Sequence, residues 1–245
     1  MDPVSRSVAT GNERQGLGKP LAVLAGASGL VGASCAGALV GRFESVALVR
    51  RPLPAAPPEL HTANIDFVSL PATRRSDVLA SAGVKDREVT AGLCALGTTI
   101  KKAGSQAAFR AVDHDAVVGF AAWTRAAGAN RFVVVSSVGA DARSSNFYLR
   151  VKGEMEAALH ALGFARLVIL RPSFLKGDRS ERRLGESIAG ALFPLVEPLL
   201  AGGMRRYRSI DAATIARAMV AAAATDTPGA FIWEHDEIAK NGRAM

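Results

Sequence analysis

An α/β fold with a doubly wound, mostly parallel sheet is what this sequence predicts, and three observations predict it. Short apolar runs alternate with helix-like segments from Leu21 to about residue 170. Such alternation needs crossover connections, and crossovers make neighbouring strands parallel. The runs Leu21–Ala25 and Phe132–Val135 are apolar throughout, as strands covered on both faces are. A chain of 245 residues, 49% hydrophobic and 21% charged, is long enough to bury one such core.

Each element follows from local chemistry. Leu21–Ala25 is strand one, and the Ala/Gly-rich stretch Leu30–Val40 is the helix after it. Ser45–Val49 is strand two, ended by Arg50-Arg51-Pro52; Pro52–Pro58 holds four prolines and excludes regular structure. Ile65–Leu70 reads as strand three, Arg74–Ala82 as a short helix, and Val89–Leu96 as strand four, closed by Gly97-Thr98-Thr99. Val112, Ala116, Phe120 and Trp123 keep helical period through one long helix, Phe109–Ala127, which Gly128 stops. Arg131–Ser136 is strand five, Tyr148–Leu162 a helix stopped by Gly163, and Leu167–Leu170 strand six.

Beyond Pro172 the pattern loosens. Residues 173–245 read as a small C-terminal lobe that shapes a substrate pocket over the sheet, within a single domain spanning 20–245. It includes a helix from Asp211, a suitable N-cap, to Ala224, and a last short strand at Phe231–Trp233. Phe193, Leu195, Val196 and Leu199 suit plain core first, then a lid over substrate or a homodimer contact. Residues 1–19 mix charge and glycine without an apolar core, the pattern of a disordered leader.

Composition narrows the function. The net charge of +8 raises nucleic acid as a partner, but the arginines are scattered along the chain and no basic run is interleaved with aromatics. A phosphorylated small ligand accounts for the local arginine pairs at least as well. No stretch approaches the roughly 20 apolar residues of a membrane span. Cys35 and Cys94 sit in apolar segments as buried thiols of a reducing compartment, so a cytoplasmic location is the default. His61, His114, His160 and His235 have no paired spacing, and no metal site is expected. Asp113-His114-Asp115 reads as surface charge on its helix, with Asp113 also placed to orient an active-site wall.

The chemistry begins where strand one meets the first helix, at Gly26-Ala27-Ser28-Gly29-Leu30-Val31-Gly32. One glycine permits the tight turn, the second lets a diphosphate approach the backbone, and the third lets helix pack on strand. The helix N-terminus then offers free N–H groups and a positive dipole end to the phosphates. This is a Rossmann-type dinucleotide turn. Strand two would end beside the adenosine ribose, and it carries Arg50 and Arg51 where a carboxylate would favour NAD. An arginine fork suits the 2′-phosphate, so NADP(H) is the expected cofactor.

Tyr148 and Lys152 stand four residues apart on one helix face. An ammonium there stabilises phenolate, which fits Tyr148 for proton transfer at a substrate oxygen. Ser136 and Ser137 end strand five at the edge where open α/β sheets bind ligands. One hydroxyl can donate to a carbonyl oxygen gaining charge while the other caps the strand end, and Ser137 is slightly favoured for the first role.

The glycine turn, the strand-end serine and Tyr-x-x-x-Lys resemble the short-chain dehydrogenase/reductase superfamily, in the glycine spacing of its extended and atypical members. Cys94-Ala-Leu-Gly-Thr-Thr99, Lys102-Ala-Gly-Ser105, Val112-Asp113, Ser136-Ser137-Val-Gly-Ala-Asp141, Ser145-Asn146-Phe147, Lys152-Gly153-Glu154, Leu170-Arg171-Pro172 and Gly177-Asp178-Arg179 are similar to its atypical Tat-interacting-protein-like branch. The resemblance covers roughly residues 20–225. It implies Tyr148 as acid/base, Lys152 on the nicotinamide ribose, Leu96, Gly97 and Thr98 along the adenosine side, and Pro172 and Ser173 beside the nicotinamide. Ser173 departs from the glycine often found after that proline.

The expected function is hydride transfer between NADP(H) and a small carbonyl or alcohol substrate. The alternatives are a catalytically weak NADP(H)-sensing binding protein and, third, a nucleotide-sugar epimerase-like enzyme.

Overall fold

A computed structural model describes residues 18–173, 175–176 and 202–243. The expected leader, apart from its last two residues, and the apolar stretch 193–199 lie outside the described residues.

The first half runs β1 (Leu21–Ala25), α1 (Leu30–Leu39), β2 (Glu44–Val49), β3 (Leu60–Asn64), α2 (Arg75–Ser81) and β4 (Ala91–Cys94). Short helices α3 (Ile100–Ala103) and α4 (Gln106–Arg110) follow, then a π-helical turn at Ala111–Asp115 that runs into α5 (Ala116–Ala126). β5 (Arg131–Val135), α6 (Phe147–Ala161), β6 (Arg166–Leu170) and the two-residue β7 (Leu175–Lys176) come next. The chain is described again from a 3-10 segment, Gly202–Tyr207, through β8 (Ile210–Asp211), α7 (Ala212–Ala224), β9 (Gly229–Trp233) and α8 (His235–Arg243).

Seven strands form one sheet in the order β3-β2-β1-β4-β5-β6-β9, every neighbouring pair parallel. The order reverses between β1 and β4, so a crevice opens at their carboxyl ends. One face is covered by α1, α7 and α8, the other by α2, α5 and α6, which is the doubly wound arrangement expected. β7 and β8 pair separately, joining the stretch just after β6 to the one just before α7.

Alanine abundance has a packing reason. The buried face of α7 is largely alanine, and α7 packs on α1, whose own buried face is Val31, Gly32, Cys35, Ala36 and Leu39. Small side chains bring the two backbones close. α8 crosses α7 just as tightly, since a Cβ on Gly242 would lie 2.3 Å from the Thr214 carbonyl oxygen.

Three expectations change. Strand three is Leu60–Asn64, not Ile65–Leu70. Asp66 folds the latter into a turn: its carboxylate accepts from the Val68 N–H at 3.1 Å, its carbonyl from the Leu70 N–H, and Val68 is left 89% exposed. As an edge strand, β3 buries only Leu60 and Ala63, too little for an apolar signal. The single helix expected over 109–127 is α4, a π turn and α5. And α8 was not anticipated, because it is mostly charged and buries only Ile238 and Gly242.

Candidate active site at the carboxyl edge of the sheet

The turn after β1 is built on Gly26, whose φ of +91° lies in the left-handed region. A Cβ there would meet the Ala95 carbonyl at 2.5 Å, and one on Gly32 would lie 2.0 Å from the Gly26 carbonyl oxygen. Both glycines are therefore demanded by the chain's own packing. Gly29 is different. It caps α1 at φ −86°, ψ 166°, a conformation open to any residue, and it lines the cleft. No side chain caps the start of α1, and Gly29, Leu30 and Val31 line the cleft, so the helix N-terminus lies at the cleft wall.

That cleft takes Gly29, Leu30 and Val31 from the first turn, Ala95 to Thr98 from the end of β4, Val135 and Ser136 from β5, and Pro172 and Ser173 from β6. Asp113 and Lys152 close it. Four neighbouring strand ends thus share one wall, at the switch point where open α/β sheets bind ligands. Ser28 is exposed at the turn, and Arg50 and Arg51 are exposed beyond β2. Neither arginine has an ion-pair partner among the described residues.

Helix α6 carries the other half. Asn146 caps it, its side-chain oxygen accepting from the Leu149 N–H at 3.2 Å, so Tyr148 falls in the first turn. Tyr148, Lys152 and Glu156 then follow at four-residue intervals on one face. The Tyr148 ring is half-buried against Phe109, with centroids 5.6 Å apart. Gly153 lets the loop after β5 lie on this helix: a Cβ there would stand 2.1 Å from the Ala142 nitrogen. The same loop is pinned by Val138 N–H donating to the Pro172 carbonyl and Asp141 N–H to the Leu149 carbonyl.

Lys152 and Asp113 are both buried, with Nζ and Oδ1 at 2.7 Å. The other Asp113 oxygen accepts from the Thr98 N–H at 2.8 Å. Burial pulls the Lys152 pKa down, but the charges of Asp113 and then Tyr148 outweigh it and hold it above its ordinary value. The reading of Asp113 as surface charge is corrected here; only its neighbours His114 and Asp115 pair at the surface. Behind them, burial pushes the Cys94 thiol up to about 12, which leaves it inert.

The two serines separate clearly. Ser136 is buried and donates to Glu156 Oε1 at 2.5 Å, while Arg171 grips the same carboxylate through Nε at 3.0 Å and Nη2 at 2.5 Å. Ser137 is half-buried, and among the described residues its Oγ has only the Val138 carbonyl, at 3.3 Å. Ser136 is part of the cleft wall with its hydroxyl bonded to Glu156, whereas Ser137 and Tyr148 are not part of that wall. The Glu156–Arg171 pair escaped sequence reading, although Glu156 continues the Tyr148–Lys152 stripe. Glu156→Gln would leave a partly buried guanidinium underpaired; we expect a loss of about 3 kcal/mol in urea unfolding, with an unchanged denaturant slope.

Ser173 donates to the Tyr207 carbonyl at 2.7 Å and the Arg208 carbonyl at 3.0 Å. Its hydroxyl therefore ties the segment before β8 to the cleft rim, a use for the serine where the resemblance led one to expect glycine. The Gly-Thr-Thr and Lys-Ala-Gly-Ser motifs supply helix caps: Thr99 accepts from the Lys102 N–H and Ser105 from the Ala108 N–H. Among the described residues no acidic, histidine or cysteine cluster could hold a metal.

A family model described as NAD(P)H-binding matches residues 26–227. The chain belongs to this NAD(P)H-binding family. Within it, curated relatives place the chain in the Tat-interacting-protein-like branch of the atypical short-chain dehydrogenase/reductases. The rat protein HTATIP2 is 42% identical over 129 residues, 53% of this chain and 51% of the rat protein. A protein named FMP52, mitochondrial, from Coccidioides immitis is 42% identical over 127 residues, 52% of each chain. In both cases the match spans about half of the relative's length. The Aspergillus niger protein fmp52, mitochondrial, is 35% identical over 205 residues, 80% of this chain and 84% of the fungal one.

Solved structures similar to this NAD(P)H-binding chain include a UDP-Glc/GlcNAc 4-epimerase from Campylobacter jejuni, with a TM-score of 0.64, 14% identity and coverage of 90% of this chain and 82% of that one. MoeE5 in complex with UDP-glucuronic acid and NAD gives 0.63 at 17% identity, covering 88% and 75%. At these identities the likeness speaks for the fold alone. The expected cytoplasmic location is corrected by the relatives, since those from Coccidioides immitis, Emericella nidulans and Aspergillus niger are named as mitochondrial proteins. None of the described helices is long and apolar enough to cross a membrane.

Proposed function

We propose that this NAD(P)H-binding chain is an NADP(H)-dependent reductase/dehydrogenase for small carbonyl or alcohol substrates. One observation carries the reading: Tyr148 and Lys152 lie a turn apart on α6, with Lys152 lining the cleft at the carboxyl ends of the strands. The residues present fit the cofactor. Gly29 and the open N-terminus of α1 would hold its diphosphate, Arg50 and Arg51 its 2′-phosphate, Leu96 to Thr98 the adenosine side, and Pro172 and Ser173 the nicotinamide side. When bound, the cofactor supplies or accepts the hydride.

The chain's own groups handle the oxygen and its proton. Tyr148 gives a proton to the substrate oxygen in reduction and takes it back in oxidation. Lys152 stabilises the negative oxygen left on Tyr148 and holds the cofactor ribose. Ser137 donates to the substrate oxygen as charge gathers there; Ser136 has its hydroxyl on Glu156 and serves the scaffold instead.

A cofactor-sensing reading has one observation in its favour, the position of Tyr148 against Phe109 rather than in the cleft wall. Incubation with NADPH and a panel of aldehydes and ketones, followed by loss of absorbance at the nicotinamide band, separates the two. Turnover supports the reductase; a melting-temperature rise with NADPH and no turnover on the whole panel replaces it with the sensor. An epimerase reading has only fold-level support.

The arginine pair supports NADP(H) over NAD(H). Replacing Arg50 and Arg51 with alanine together is expected to weaken NADPH binding tenfold or more, roughly 1.4 kcal/mol, and NADH binding less than about twofold. Equal loss for both coenzymes in calorimetry would return the preference to the shared part of the dinucleotide.

A further inference from the structure

Arg205-Arg206 is one of the arginine pairs that the dinucleotide cleft leaves unused, and Arg205 lines a second groove. This groove lies between the 3-10 segment Gly202–Tyr207 and helix α8, and has a volume of about 480 Å³. Among the described residues it shares no lining residue with the cleft. Arg205, Arg208, Lys240 and Arg243 bring four permanent cations to it, with His235 beside them and Asp236 as the one carboxylate.

Two elements build this convergence. The Arg208 N–H donates to the Arg205 carbonyl at 2.9 Å, closing a 3-10 type turn in which side chains three apart fall on one side. The carbonyls of Tyr207 and Arg208 accept from the Ser173 hydroxyl, which holds that turn in place. On α8, Asp236, Lys240 and Arg243 follow at intervals of four and three and share one face, while Ile238 and Gly242 are buried on the other.

Charge is not balanced within the groove. Asp236 pairs with Arg205 at 3.2 Å and with the His235 ring at 2.9 Å. The hydrogen bond from His235, then the charges of Arg205 and Arg208, hold its carboxyl below the usual range, so it is ionised and already shared. Lys240 and Arg243 are exposed and have no ion-pair partner among the described residues. A helix dipole suits these two at the end of α8. It gives no account of Arg205 and Arg208, which arrive from another element and add repulsion. A bound anion removes that repulsion.

We propose that this groove is a binding site for a multiply charged, phosphate-bearing anion, separate from the dinucleotide cleft. Arginine forks offer paired N–H donors to phosphate oxygens and lysine adds a compact charge. The groove's volume lies in the range of small-ligand sites. Among the described residues no aromatic side chain lines it, so it lacks the stacking platform of a single-stranded nucleic-acid channel. The phosphate can sit on a free small molecule or on a lipid headgroup; the recognising chemistry is the same.

Inorganic triphosphate is the probe, titrated by calorimetry into the full chain at about 0.1 M salt, where exposed charges more than about 10 Å apart are screened. Binding is expected, weakened about tenfold or more in the Lys240→Ala, Arg243→Ala double variant and kept within about twofold in Arg50→Ala, Arg51→Ala. Co-sedimentation with phosphatidylcholine vesicles containing phosphatidic acid, lost in the Lys240 and Arg243 variant, would assign the phosphate to a headgroup. Triphosphate binding without co-sedimentation assigns it to a free anion.

Failure of both probes to bind the wild-type chain overturns the proposal. So does a loss seen only in the Arg50 and Arg51 variant, which would put the anion in the dinucleotide cleft. Affinity for duplex DNA that exceeds that for triphosphate and grows with duplex length would replace the site with a nucleic-acid surface. If the Lys240 and Arg243 variant does not fold, hydrogen exchange on the wild-type chain decides. Triphosphate should then slow exchange across residues 202–211 and 235–243, and slowing confined to other segments, or none, overturns the site.

Discussion

Tyr148→Phe is expected to lower NADPH-dependent carbonyl reduction by about 10²–10⁴-fold, the usual worth of a positioned proton donor. The change removes one hydroxyl and keeps the ring, so the contact with Phe109 at 5.6 Å persists and the start of α6, fixed by the Asn146 cap, is undisturbed. Dinucleotide affinity should stay within about twofold, because the diphosphate turn and the arginine pair lie on other elements. The loss would then fall on kcat rather than on cofactor binding, the signature of an interaction made in the transition state. Paired steady-state kinetics and NADPH titration on the two proteins make the comparison. Turnover within threefold of wild type would remove Tyr148 from the chemistry and shift the proton to another group.

The contrast between what the sequence discloses and what it hides runs along one physical line. β1, β2, β4, β5 and β6 are central strands of a sheet covered on both sides, and their burial writes itself as uninterrupted apolar runs. Edge strand β3 and outer helix α8 have little to bury, so their stretches read as polar chain. A residual trace existed for α8, in Asp236 and Glu237 at its start and Lys240 and Arg243 at its end, the charge order that suits a helix dipole.

The site divides in the same way. Gly26 and Gly32 are legible because a sharp turn and a close helix contact leave glycine in fixed places. Tyr148 and Lys152 are legible because four-residue spacing places them on one helix face. Asp113 is hidden by the π turn: with regular helical spacing nothing points it at Lys152, 39 positions later in the chain. Ser136 and Ser137 could not be separated by position, since only the location of Glu156 shows which hydroxyl is taken.

Lys152 also carries a pH consequence for the fold. Its pKa is raised above the usual 10.5 in the folded chain, so the stabilisation from its pairing is fully present below about pH 10.5 and fades as pH rises through the folded value. As far as this pair is concerned, unfolding midpoints in urea should therefore be independent of pH around neutrality and should drop in strongly alkaline buffer.

The glycines of the first turn provide the sharpest division between fold and ligand. Gly32→Ala would set a methyl carbon 2.0 Å from the Gly26 carbonyl oxygen and 2.6 Å from its carbon, both backbone atoms that no rotamer change can move. Relief requires α1 to lift from β1, and α1 is wedged against α7 through Cys35, Ala36 and Leu39. We expect about 3 kcal/mol or more of destabilisation, which for a chain of this size is a fall in Tm of about 6–12 °C. Gly29→Ala should behave in the opposite way. Its φ of −86° suits alanine, and replacing an N-cap glycine costs at most about 1 kcal/mol, so the fold survives. On the proposed cofactor reading its missing side chain leaves room for the diphosphate, and a methyl group would stand in that group's way; NADPH affinity should fall about tenfold or more. Melting curves with and without NADPH read both effects from one experiment. If Gly29→Ala gained as much thermal stability from NADPH as the wild-type chain does, the diphosphate would have to lie elsewhere, and the glycine spacing would reflect only the packing of α1 on β1.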